Sequence, residues 1–91
     1  MKLFTIYDRK TERFSNPSYA VNSASYLRDV QSTLANPPQQ PNPFFDHPED
    51  FDLYEIGSFD ADKGVVIPLD RPNHLGTAAD YLPRSAASTA A

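Results

Sequence analysis

The sequence predicts an α+β domain: a small antiparallel sheet in β-β-α-β-β order, with one main helix packed on one face. Three observations carry this. Two stretches near the ends of the chain alternate apolar and polar residues with period two. One stretch between them repeats apolar residues every three or four positions, and proline and glycine clusters separate the three.

Leu3, Thr5 and Tyr7 alternate with Phe4 and Ile6, which reads as a first strand rich in β-forming residues. Asp8 to Glu12 is a polar break, and Arg13–Val21 is expected to return as a second strand. Pro17 has no backbone donor, so that return belongs at an edge or is interrupted. Asn22 or Ser23 can cap a helix in which Ala24, Leu27, Val30 and Leu34 share one face, with Arg28, Asp29, Gln31 and Ser32 on the other. Asn36 followed by Pro37 and Pro38 ends it, because the residue before proline avoids the helical region.

Pro37–Pro48 holds five prolines in twelve residues and reads as an extended, semi-rigid connector. Phe44 and Phe45 interrupt it and are expected to dock, on the domain's own core or on a partner. Phe51–Phe59 and Val65–Leu69 flank a turn ending in Gly64, a second hairpin; Pro68 and Pro72 suggest an edge strand that leaves the sheet early. Leu75 to Leu82 can add one or two helical turns. The organisation expected is one domain over residues 1–82 with its connector at 37–48, and a flexible tail over 83–91.

A single thin core follows from 91 residues of which nine are proline, and oligomerisation is one way to support it. Arg13–Val21, as an exposed edge, is a candidate for pairing with a second copy in a homodimer. There are no cysteines, so neither disulfides nor thiolate chemistry contribute. The opening residues lack the apolar core of a signal peptide, and no run approaches a membrane span, so a cytoplasmic protein without a membrane partner is expected.

The net charge of −4 is unevenly spread. Residues 1–36 carry five basic against three acidic side chains, residues 37–63 carry one against seven, and the remainder balances. Such a distribution argues against non-specific nucleic-acid binding by the whole surface but leaves room for a local basic patch. That patch is the first hairpin, where Lys2, Arg9, Lys10 and Arg13 lie near Phe4, Tyr7, Phe14 and Tyr19. Single-stranded nucleic acid is held by this pairing, cations following phosphates while rings stack on bases. The bland alternative is that the aromatics build the core and the cations only solvate it.

Catalysis is not expected. The two histidines lie beside prolines or in loops with no serine nucleophile arranged around them, and the three glycines form no phosphate loop. Asp60, Asp62 and Gly64 resemble the start of a calcium loop, but its twelfth position is Arg71 instead of glutamate. His47, Glu49 and Asp50 make a weak metal signal that a solvated turn explains as well. No catalytic residue, metal or cofactor is therefore assigned. A second candidate surface is the acidic segment, where Phe44, Phe45, Asp50, Asp52 and Asp60 could engage a basic protein partner.

The stretch HPEDFDLYEIGSFDADKG from His47 to Gly64 resembles the small non-structural protein of gokushoviruses, a branch of the single-stranded DNA phages of the Microviridae. Tyr7-Asp8, Lys10, Asn16-Pro17, Leu34-Ala35-Asn36-Pro37, Pro72 and Leu75 extend the likeness over roughly residues 1–80. The resemblance implies a phage accessory protein of the host cytoplasm, absent from the mature shell and acting in viral single-stranded DNA synthesis or genome packaging. Some members are called DNA-binding; no catalytic residues come with the family. Two other roles fit the same residues: an adaptor for a phage replication or procapsid protein without nucleic-acid contact, and a minor structural or scaffold component.

Overall fold

A computed structural model describes residues 1–82. Five strands form one antiparallel sheet: β1 (Lys2–Asp8), β2 (Arg13–Phe14), β3 (Ser18–Ala20), β4 (Phe51–Asp60) and β5 (Val65–Thr77). The spatial order is β2-β1-β4-β5, with β3 also paired to β1 beside β2. Helix α1 (Ser23–Leu34) follows β3, and the short α2 (Pro43–Asp46) and single 3-10 turns at Pro48–Asp50 and Ala78–Tyr81 complete the fold.

The order thus departs from β-β-α-β-β, since three strands precede the helix. The expected single return at Arg13–Val21 is split by Ser15-Asn16-Pro17. Ser15 fills the gap in the ladder with its own side chain. Its amide donates to the Ile6 carbonyl at 2.8 Å, its hydroxyl accepts from the Ile6 amide at 3.0 Å, and its carbonyl accepts from the buried Thr5 hydroxyl at 2.8 Å.

Helix α1 starts where Asn22, in an extended conformation, accepts from the Ser25 amide at 2.8 Å. Its buried face is Tyr26, Val30 and Leu34. Tyr26 stacks on Phe4 with ring centroids 4.1 Å apart and planes at 4°. Phe4 and Leu53, both fully buried, centre a core completed by Ala20, Tyr26, Val30, Leu34 and Ala78. Phe44 and Phe45 dock on this core and remain half-buried; Phe44 meets Phe51 edge-on at 5.4 Å and Phe45 at 5.7 Å. The proline-rich connector therefore includes one helical turn, started by Asn42 accepting from the Phe44 amide at 3.0 Å.

Strand β5 does not leave the sheet at Pro68, as the prolines suggested. It pairs with β4 along its length, but Glu55 faces Asn73 while Gly57 faces Pro68, so Leu69 to Pro72 bulge outward opposite Ile56. The edge of a sheet tolerates this because its outer hydrogen bonds are not required. Gly57 is indispensable at the crossing: a Cβ there would lie 2.5 Å from the Ile67 carbonyl oxygen. The molecule has extents of 49 × 27 × 23 Å, and the turn end of the β4–β5 hairpin, an arm from Phe59 to Ile67, is largely exposed. Residues 83–91, expected as a tail, lie outside the described residues. No helix among the described residues is long and apolar enough to cross a membrane.

Candidate nucleic-acid interface

Paired residues of antiparallel strands share a face, and the register therefore sorts the sheet into a covered and an open side. Phe4 opposite Glu55, and Ile6 opposite Leu53, belong to the side covered by α1. The open side carries Thr5 opposite Tyr54, Tyr7 opposite Asp52 and Phe14, and Tyr54 opposite His74. Four rings on four positions of this face form a continuous stripe. Tyr7 and Phe14 have centroids 4.6 Å apart, Phe14 and Tyr54 6.1 Å, and Tyr54 and His74 5.2 Å. Phe14 is 57% exposed although it is a phenylalanine, and its edge also borders a helix-side cavity with Ile6, Phe44 and Phe51.

Charge accompanies this stripe. Asp52, buried on the open side, forms an ion pair with Arg9 Nε at 3.4 Å and lies 3.1 Å from His74 Nε2. Arg9 also donates to the Glu49 carbonyl. These contacts fix Arg9 at the rim of the stripe. Lys10 follows in the β1–β2 turn and Arg13 sits beside Phe14; both are exposed and have no ion pair among the described residues. The turn itself is set by Asp8, which accepts from the Lys10 amide at 2.9 Å and the Thr11 amide at 3.4 Å, with Glu12 at φ 57°. Desolvation works to raise the Asp8 pKa, and these hydrogen bonds outweigh it and hold the carboxyl below its ordinary value.

Of the sequence-derived nucleic-acid candidates, Tyr7, Phe14, Arg9, Lys10 and Arg13 come together at this end of the sheet. Two do not join them. Lys2 turns to the covered side and pairs with Glu55 at 3.5 Å, where Ser23 also reaches Glu55. Tyr19, opposite Leu3, lies at the far end of the open face. Phe4, named with them as a neighbouring aromatic, is core. Tyr54 and His74 were missed because one lies in an acidic strand and the other in what read as a loop. The signal that places Tyr54 is the alternation of Asp52 and Tyr54 against Leu53 and Glu55.

The acidic candidates are dispersed. Asp52 is enclosed by Arg9 and His74, and Asp50 lies half-buried in the 3-10 turn before β4. Asp60 caps the hairpin turn by accepting from the Asp62 and Lys63 amides at 3.0 and 3.2 Å, and Phe44 and Phe45 face the core. His47, Glu49 and Asp50 bring ligand atoms within 4.8 Å of one another at the surface, an arrangement that an acidic turn produces by itself.

A family model described as "Phage ORF5 protein" matches residues 1–81. The chain belongs to this phage protein family. No curated protein and no solved structure matches it.

Proposed function

We propose that this family member is a non-enzymatic accessory protein of gokushovirus type, acting in the host cytoplasm in viral single-stranded DNA synthesis or genome packaging. In this reading it holds single-stranded DNA weakly on its open sheet face. Bases stack on Tyr7, Phe14, Tyr54 and His74, while Arg9, Lys10 and Arg13 attract the phosphates. The observation that carries the reading is the continuous four-ring stripe on the face the helix leaves bare. A ring buried for stability alone belongs on the covered side, and a ring left at 57% exposure beside three cations is available to a ligand.

The acidic whole keeps the contact weak and salt-sensitive, since few cations oppose a net charge of −4. Fluorescence anisotropy of a labelled single-stranded oligonucleotide across a salt series tests the proposal. Binding should fall with salt at a slope of about two to three released ions. Replacing Phe14 and Tyr54 by alanine should weaken it by at least roughly thirtyfold, since stacking contributes about 1–3 kcal/mol per base. An oligonucleotide that does not bind at low salt, or binds the double variant equally well, defeats this reading and moves attention to a protein partner for the acidic segment.

A further inference from the structure

Among the described residues, the large exposed hydrophobic side chains outnumber the seven buried hydrophobic residues: Met1, Phe14, Tyr19, Val21, Phe59, Val65, Val66, Ile67, Leu69 and Leu82 are at least 40% exposed. All but Phe14 and Leu82 lie at one end of the molecule. The pairings Leu3 with Tyr19, Lys2 with Ala20 and Ser58, and Phe59 with Val66 place them there, as does the Phe59 amide donating to the Met1 carbonyl at 2.8 Å. On the open face Met1, Tyr19 and Phe59, with Leu3 and Ala61, wall a cavity of about 420 Å³. Val65 and Ile67 leave the opposite face of the same arm bare.

We infer that this arm is a self-association surface and that its occupant is the same end of a second copy of the chain, related by a two-fold axis. Charge is the first reason. The arm's own ionic side chains are Asp60, Asp62, Lys63, Asp70 and Arg71, near balance, and Lys2 is turned away to Glu55. A like copy meets little repulsion there, whereas nucleic acid finds no cationic field.

Area is the second reason. Eight side chains exposed to this degree present on the order of 500 Å² of apolar surface over the two faces of the arm, so two copies whose arms clasp each other on both faces would withdraw about 1,000 Å² from water, the lower limit of a specific interface. Supply is the third. A domain with a core of two fully buried large side chains gains stability from a partner that is present wherever the chain is made, and another copy meets that condition. The ring stripe at the opposite end stays uncovered in such a dimer, so the two surfaces act independently.

Static light scattering of the purified full chain at about 50 µM should give a mass near 20 kDa, twice the 10.2 kDa of one chain. Replacing Val66 and Ile67 by aspartate should weaken association at least tenfold while the circular dichroism spectrum is kept. The chain has no cysteine, so a Val66→Cys variant carries a single thiol. Under mild oxidation it should form a disulfide-linked dimer that an Arg28→Cys variant, altered on the exposed side of α1, does not form. A wild-type monomer, a dimer that survives both aspartates, or equal cross-linking of the two cysteine variants overturns the inference. None of these outcomes depends on whether DNA binds.

Discussion

The two sides of the sheet use the same residue types for opposite purposes. On the covered side Phe4 and Tyr26 stack face to face and leave no surface to a ligand; on the open side Tyr7, Phe14, Tyr54 and His74 are spaced as a row in which Phe14 and His74 are exposed and Tyr7 and Tyr54 half-buried. The acidic side chains divide in the same way. Glu55 on the covered side is held by Lys2 and Ser23, and Asp52 on the open side by Arg9 and His74. The difference teaches that aromatic content in a small sheet does not report the core. What separates buried from exposed rings is whether a helix crosses them.

Stability measurements should respect that division. Leu53→Ala empties the centre of the covered side and should cost about 3 kcal/mol in urea unfolding, a large fraction of the stability of a domain of this size. Gly57→Ala should cost about 2 kcal/mol, because the Ile67 carbonyl must move for any side chain to fit, and the loss should show as faster amide exchange in β5. Phe14→Ala with Tyr54→Ala on the open side should cost no more than about 1 kcal/mol together while weakening oligonucleotide binding at least roughly thirtyfold. A larger loss would mean that the stripe is a second core.

Smallest is the effect of Tyr26→Phe. Among the described residues the buried Tyr26 hydroxyl has no hydrogen-bond partner, so its removal at neutral pH should change stability by less than about 1 kcal/mol, in either direction. Burial raises the Tyr26 pKa above its ordinary value of 10.0. A group raised in the folded state binds its proton more tightly there, so its contribution is complete below the unfolded pKa and is lost as pH rises through the folded one. Wild-type protein should therefore lose urea resistance above about pH 10 more steeply than the phenylalanine variant.

Much of this arrangement is legible in the sequence, and the exceptions have physical causes. Helix α1 is readable because Val30 and Leu34 repeat at helical spacing and two prolines stop it. Tyr26 escaped that reading, since its burial depends on stacking with Phe4 across the sheet. Strand β5 was cut short because proline normally ends pairing, yet at an edge the four-residue bulge absorbs Pro72 and the strand resumes at Asn73. The stripe was half readable: Tyr7 and Phe14 share a hairpin, whereas Tyr54 and His74 join them only through the long-range pairing of β1 with β4 and of β4 with β5.

That long-range pairing also sets when the domain can exist. β1 is made first but lies between its hairpin partners and β4, whose residues Phe51 to Ser58 pair with it only after some fifty intervening positions. Closing a loop of that length costs several times RT before any contact repays it, which places folding in the slower range of small domains. During synthesis α1 can cover Phe4 through Tyr26, but Ile6 waits for its partner Leu53 until β4 emerges. The order of the elements therefore leaves the apolar centre incomplete until β4 is made.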